Sequence, residues 1–116
     1  MIALTYLTGL VIETEASVRL RVDLRRDAAP ATPIIETDPR THRSGAALAT
    51  TGIGPDLMQA AKDATRNLVA EVVARTGVAP VDAYLLASIA ADLKISEVVD
   101  VPNWIVSTHL ELSLLD

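Results

Sequence analysis

The sequence predicts an α+β domain in which two helices pack on one face of a mostly antiparallel sheet. Alternation of apolar and polar residues, which is typical of strands, dominates the first third of the chain and its end, whereas helical spacing dominates the middle. The resulting order of strands, helix, helix and strands differs from the regular alternation of strands and helices in a parallel α/β sheet. Because the chain has 116 residues, we predict a single domain over residues 1–116.

The longest alternating segment runs from Val11 to Arg25. Every second residue from Ile12 to Leu24 lies on one mainly apolar face, and the residues between them are mainly charged. This pattern predicts a long strand with one solvated face, as in an antiparallel sheet. Gly9 predicts a turn or a bulge after a short first strand at about Ile2–Leu7. Long strands near both ends of the chain also predict that the two ends pair.

The segment from Asp27 to Gly45 contains three prolines among polar residues and predicts an irregular surface loop. Within this loop, Ile34–Thr37 is predicted to be a short extended piece. Ala46–Thr51 follows as a short predicted strand, which two glycines end.

The first predicted helix has clear signals at both ends. Gly54 can serve as its N-cap, Pro55 suits the first helical position, and Asp56 suits the positive end of the helix dipole. Gly77 can adopt the left-handed C-cap conformation. The apolar residues between these ends recur at helical spacing: Leu57, Ala61, Ala64, Leu68 and Val72.

The second predicted helix begins at Pro80 and runs to about Ala91. Its residues are small or apolar nearly all round, so we predict that it is more buried than the first helix. A strand through Leu93, Ile95 and Val99 is predicted to follow it.

The last predicted strand runs from Trp104 to Leu114. Its even-numbered residues share a mainly apolar face, and Ser107, His109 and Glu111 lie on the other face.

The composition excludes several classes of function. Ten Lys and Arg residues against 15 Asp and Glu give a formal charge of -5, and only one Trp and two Tyr are aromatic. Nucleic acid and anionic membrane surfaces are therefore not expected as partners. The absence of cysteine excludes disulfides, thiolate zinc ligands and a cysteine nucleophile. No signal-peptide pattern or membrane-length apolar run is found, so a soluble cytoplasmic protein is expected.

Two histidines are the first candidate site residues. His42 lies in the proline-rich loop, where the alternative is a solvated loop residue. His109 lies on the polar face of the last strand, where it is either a surface or interface histidine or a catalytic residue. Two histidines that are far apart in the sequence are too few for a catalytic zinc site unless carboxylates complete it. We therefore predict no metal ligand and no cofactor in this chain.

Carboxylates supply further catalytic candidates. Glu13 and Glu15 point to the same face of the predicted strand, which suits either a carboxylate pair for acid–base chemistry or ion pairs with neighbouring arginines. Asp92 ends the second predicted helix, where the helix dipole disfavours a negative charge. It is either a catalytic residue or a residue of the turn into the next strand.

Thr50, Thr51 and Gly52 lie shortly before the first predicted helix. Free N–H groups at a helix N-terminus can hold an anion or a developing oxyanion, which makes these three residues candidates for substrate binding. The segment lacks the lysine of a P-loop, and the alternative is a plain turn from strand to helix.

Four segments resemble the C-terminal part of the acetamidase/formamidase family of amidohydrolases. They are Thr8–Glu13, Ala49–Ile53 followed by Pro55–Met58, Asp82–Asp100 and Pro102–Leu110. The last two are long and stand in the family's order, and the resemblance covers nearly the whole chain. It includes the candidates Glu13, Thr50, Thr51, Asp92 and His109.

The resemblance implies hydrolysis of C–N bonds in small linear amides. It also implies that the β-rich N-terminal portion of the family, with its His-, Asp- and Gly-rich segments, would lie before Met1 or come from a separately encoded partner. On that expectation, the isolated chain is inactive, and a divalent metal is possible only in a completed enzyme.

Three interpretations remain open. The chain is a subunit of a split amidase, a non-catalytic oligomeric remnant with a structural or binding role, or a fragment of a complete amidase. Loss of the N-terminal portion would expose a face and a sheet edge, which predicts a homo-oligomer, most simply a two-fold dimer.

Overall fold

The computed structural model describes residues 15, 17, 19–24, 26, 29–38, 45–99 and 101–116. In this part of the chain, an antiparallel sheet of four strands and two α-helices confirm the predicted α+β fold. The strands are β1 (Ile34–Glu36), β2 (Ala47–Gly54), β3 (Asp92–Glu97) and β4 (Trp104–Glu111), and the helices are α1 (Leu57–Thr76) and α2 (Pro80–Ala90). The strand order is β1-β2-β4-β3, so β4 is paired along both edges.

The register of β4 with its two neighbours decides which side chains meet. β2 pairs with β4 along its whole length. β3 pairs with the other edge of β4, beginning with Asp92 opposite His109, and the register shifts between Ile95 and Glu97 as at a β-bulge. Because side chains alternate between the faces of a strand, residues opposite each other lie on the same face of the sheet.

Several strand ends differ from the predicted bounds. β2 continues to Gly54, past the predicted end at Thr51, so Gly52 and Gly54 lie within the strand and do not end it before Gly52. β3 ends at Glu97, before the predicted Val99. β4 ends at Glu111, and Leu112–Leu114 form a 3-10 turn instead of continuing the strand. The reason lies in the partner strand. β2 begins at Ala47, opposite Glu111, and beyond one bond from the Leu112 N–H to the Ala46 carbonyl the described residues offer no further strand to pair with.

The N-terminus of α1 lies two residues later than predicted. Asp56 is the N-cap, and its carboxylate accepts a hydrogen bond of 2.7 Å from the backbone N–H of Gln59. Gly54 has no side chain with which to make such a bond, and it is the last residue of β2. At the other end, Gly77 adopts the predicted left-handed conformation with φ 73° and caps the helix through its N–H.

The core lies between α1 and the sheet. One row of α1 is fully buried at a spacing of four residues and packs against the central strands. The buried residues of this layer are Ala60, Ala64, Leu68 and Val72 of α1, with Leu48, Val106 and Leu110 of the sheet. The predicted row is confirmed at Ala64, Leu68 and Val72, whereas Ala60 is buried and the predicted Leu57 and Ala61 are only partly buried.

The prediction that α2 is the more buried helix is wrong. Only Ala83 and Ala87 of α2 are buried, while Val81 and Ile89 are 62% and 85% exposed. The helix packs chiefly against α1 and scarcely touches the sheet, so none of the described residues covers its outer sides. In the part of the chain that the structure describes, no single helix is long and apolar enough to cross a membrane. α1 and α2 have the length and apolar composition of a membrane span only when they are taken together, and they are bent by 118° relative to each other.

Arg75 joins the end of α1 to the edge strand β1. Its guanidinium lies 2.6 Å from Glu36 of β1 and 2.7 Å from Glu71 of α1. Burial by itself would lower the pKa of Arg75, but hydrogen bonds to Glu71 and Glu36 raise that pKa above its ordinary value. The group therefore stays charged and holds β1 in place.

The strand predicted at Val11–Arg25 is wrong at the residues that the structure describes. Residues 15, 17 and 19–24 belong to no strand, and Leu20, Val22 and Leu24 are 80%, 89% and 77% exposed. An alternating segment becomes a strand only where another edge pairs with it, and the alternation alone does not supply that edge. Residues 1–14, 16, 18 and 25, with the predicted first strand and the turn at Gly9, lie outside the described residues.

Candidate active site

The two faces of the sheet differ in chemistry. α1 covers the face that carries the apolar core side chains. We call the opposite side, where side chains of β2, β4 and β3 point away from α1, the distal face. Its residues are small or polar, apart from Ile53 and Ile105 at one end: Ala47, Ala49 and Thr51 of β2, Ser107, His109 and Glu111 of β4, and Asp92, Lys94 and Ser96 of β3.

A chain of hydrogen bonds joins three side chains of the distal face. The hydroxyl of Ser96 is hydrogen-bonded to the hydroxyl of Ser107, and Ser107 Oγ lies 2.8 Å from His109 Nε2. Ser107 is buried, with 4% of its surface exposed, whereas Ser96 is exposed. The chain therefore leads from a solvent-accessible hydroxyl through a buried one to an imidazole.

Charged side chains surround the imidazole end of this chain. Asp92 lies directly opposite His109, and Lys94 lies directly opposite Ser107. Side chains that face each other in this way have Cβ atoms about 4.5–5.5 Å apart. A small pocket of about 110 Å³ lies at this point and is lined by Asp92, Lys94, His109 and Glu111 together with Ala47, Ala90 and Leu110.

The pocket volume limits what the site can hold. Sites for drug-sized ligands measure about 300–1,000 Å³, whereas a single water needs only about 10–15 Å³ of the same kind of space. A pocket of about 110 Å³ therefore suits a molecule of a few heavy atoms.

The structure brings together two of the three predicted catalytic residues. Asp92 and His109 are 17 positions apart in the sequence, yet they are cross-strand neighbours on the distal face. The third candidate, Glu13, lies outside the described residues, as does His42.

The three substrate-binding candidates have other contacts in this structure. The hydroxyl of Thr50 lies on the α1 side of the sheet and donates to the carbonyl of Ala64 at 2.8 Å. Gly52 also lies under α1. Thr51 lies on the distal side, but its hydroxyl donates to the carbonyl of Pro33 at 3.0 Å. Their role in substrate binding stays a prediction.

Ser96, Ser107 and Lys94 were not among the residues predicted for a site. The alternation in the last strand does place Ser107 on the same face as His109. The pairing of β3 with β4 and the bulge that turns Ser96 toward Ser107 arise from tertiary structure, and no local pattern signals them.

The model of the acetamidase/formamidase family matches residues 5–116, which is almost the entire chain. The chain belongs to the acetamidase/formamidase family. Among curated proteins, none matches this family member significantly. Its family indicates an amidohydrolase of the acetamidase/formamidase type.

The described residues of this acetamidase/formamidase family member do not fit a metal site. Among them, no group of three or more His, Cys, Asp or Glu side chains is arranged to hold a metal ion. A metal in a completed family enzyme would therefore need ligands from outside this part of the chain.

Proposed function

We propose that the chain is the C-terminal portion of an amidohydrolase that cleaves the C–N bond of small linear amides. The supporting observation is the small pocket in which His109 lies opposite Asp92 and beside Lys94. Amide hydrolysis needs a group that moves a proton to the leaving nitrogen, and a donor that stabilises the oxyanion. His109 suits the first role, with Asp92 to stabilise its charged form, and the Lys94 ammonium suits the second.

We further propose that this portion is inactive by itself. Oxyanion holes are commonly built from backbone N–H groups that point into the site. In an antiparallel sheet these groups lie in the plane of the sheet and bond to neighbouring strands, so the face of β2 and β4 offers none. Lys94 is then the single cation among the described pocket residues. An N-terminal family portion or a separately encoded partner would complete the site.

We expect the isolated chain to release no ammonia from formamide or acetamide above a boiled control. Mixing it with the N-terminal portion of a full-length family member is expected to give release, which His109→Ala abolishes. Ser88→Ala is the control, because Ser88 lies on α2 and bonds to the carbonyl of Tyr84. Steady ammonia release by the isolated chain, abolished by Asp92→Asn, would contradict the proposed inactivity. Release that persists in the mixed sample with His109→Ala would contradict the proposed site.

The alternative function is a non-catalytic, self-associating domain, and the edge strand β3 favours it. β3 is paired with β4 on one side only within the described residues, and Leu93 and Ile95 on its α1 side are 52% and 49% exposed. If two copies pair through β3 with Leu93 opposite its symmetry mate, Asp92 of each copy faces Lys94 of the other. Opposite charges that face each other across strands are favourable. The strand is therefore self-complementary for a two-fold dimer.

For this alternative, sedimentation at micromolar concentration is expected to give one species of twice 12.3 kDa. Lys94→Glu would place two carboxylates opposite each other at each end of the pairing and is expected to shift the sample toward monomer. Lys62→Glu makes the same charge change on an exposed residue of α1 and is expected to leave the dimer intact. A single monomeric wild-type species, or equal effects of the two variants, would count against pairing through β3.

A further inference from the structure

We infer that Ser96, which lies outside the lining of the small pocket and is joined to its His109 through Ser107, is the nucleophile of the distal face, so that hydrolysis passes through an acyl ester on Ser96. This inference rests on the amidohydrolase function proposed above and names the group that attacks the substrate. It is carried by the hydrogen-bonded chain Ser96, Ser107, His109 on the distal face.

Accessibility decides which hydroxyl attacks. Ser107 is only 4% exposed, and its oxygen is hydrogen-bonded on one side to Ser96 and on the other to His109. Its oxygen could attack a substrate carbonyl only after one of these hydrogen bonds had broken. Ser96 is exposed and stands at the outer end of the chain, on the edge strand of the sheet. The exposed hydroxyl is therefore the one that can reach a substrate.

The geometry also gives the proton a route. In the tautomer of neutral His109 that carries its proton on Nδ1, Nε2 accepts a hydrogen bond from Ser107, whose oxygen then accepts one from Ser96. A serine hydroxyl is a weak nucleophile until a base takes its proton, and a base can act through an intervening hydroxyl that both accepts and donates. Ser107 is then a relay between nucleophile and base.

Two charged neighbours suit the same reaction. Asp92 lies opposite His109 across the two strands, and its negative charge at that distance favours the imidazolium that forms when the proton arrives. Lys94 precedes Ser96 by two residues on β3, on the same face and opposite Ser107. Its side chain lines the small pocket, and its positive charge suits a substrate oxygen that becomes negative.

The bonds and protons balance as follows. A bond forms between Ser96 Oγ and the amide carbonyl carbon, while the Ser96 proton passes to Ser107 and the Ser107 proton passes to His109 Nε2. The C–N bond then breaks, and the proton returns through Ser107 to the leaving nitrogen, which departs as ammonia. Water enters, loses a proton along the same route and attacks the ester, which releases the carboxylic acid and restores the Ser96 hydroxyl.

The test uses the chain alone with p-nitrophenyl acetate as the probe. Its leaving group departs without being protonated and makes the ester far more reactive than an amide, so acylation tolerates an incomplete oxyanion site that amide hydrolysis does not. We expect peptide mapping by mass spectrometry to find one acetyl group on Ser96. Ser96→Ala is expected to remove this adduct, and His109→Ala or Ser107→Ala to slow its formation by about 100-fold. Ser107→Thr retains a hydroxyl and is expected to have most of the wild-type rate. If Ser107 served only to pack the sheet, the presence of a hydroxyl would not decide the rate.

Ser88 is the matched control, because it is an exposed serine whose hydroxyl bonds only to a backbone carbonyl in its own helix. The inference is overturned if Ser96 is acetylated no faster than Ser88. It is also overturned if the His109→Ala variant has a native circular dichroism spectrum and its Ser96 is acetylated as fast as in the wild type. If Ser96 fails to acylate while the chain mixed with the N-terminal portion releases ammonia, the nucleophile is wrong and the proposed function stands. If Ser96 acylates but that mixture releases no ammonia, the nucleophile stands and the amidase function fails.

Discussion

Gly52→Ala is expected to destabilise the domain by at least about 3 kcal/mol, the upper end of the usual cost of overpacking. A Cβ atom at Gly52 would lie 1.9 Å from the carbonyl oxygen of Ala60 and 2.7 Å from the backbone nitrogen of Ala64. These are backbone atoms of α1, so no side-chain rotation relieves the overlap. The helix would have to move away from the sheet and open the core layer beneath it.

Gly54→Ala is the matched control for this prediction. Gly54 lies two residues further along the same strand, and a Cβ atom there would meet nothing within 4 Å. Neither glycine has a positive φ, so the comparison isolates the close approach of the helix from backbone strain. Chemical denaturation should show a large loss of unfolding free energy for Gly52→Ala and a change within about 0.5 kcal/mol for Gly54→Ala. Equal midpoints would mean that α1 does not lie against β2 at Gly52.

Leu68→Ala is expected to cost about 2–5 kcal/mol of unfolding free energy. Leu68 is completely buried and belongs to the larger core cluster, together with Leu48, Val72 and Leu110. Removing its side-chain carbons loses the free energy of their transfer from water to the core. It also leaves a cavity between the helix and the sheet, and these two elements can close it only in part. A domain of this size has a total stability of about 5–15 kcal/mol, so the variant is expected to be close to unfolding.

Leu85→Ala makes the identical chemical change at a leucine of α2 that is 53% exposed. Because most of the lost contact is with solvent, its expected cost is below about 1 kcal/mol. Thermal unfolding of the two variants side by side measures the difference. If the two melt at the same temperature, Leu68 is not in the centre of the core.

The helix ends and the faces of the last strand could be predicted because each depends on a few adjacent residues. Gly77 ends α1 because glycine adopts the left-handed conformation without a steric cost. Pro80 begins α2 because it lacks an N–H that the first turn would leave unpaired. The alternation after Trp104 likewise places Ser107 and His109 on one face.

The remaining features depend on what each element meets in the folded chain. The apolar surface of α2 suggests burial, but its exposure depends on how it packs beside α1. Leu20 and Val22 alternate like strand residues, yet no local signal tells whether an edge is present to pair with them. The candidate site also depends on tertiary structure, since Asp92 meets His109 only through the register of β3 against β4.

The position of β4 in the sheet has a consequence for the chain as it leaves the ribosome. β4 is the last strand in the sequence, but it lies between β2 and β3 and pairs with both. While residues up to 103 are being made, the two helices can already form from local contacts, but β2 and β3 have no strand to join them. Both keep an unpaired edge until Trp104–Glu111 have emerged. At synthesis rates of about 5–20 residues per second, this stage lasts seconds for the earlier strand β2. During this time other polypeptides can pair with the strand edges that β4 later occupies.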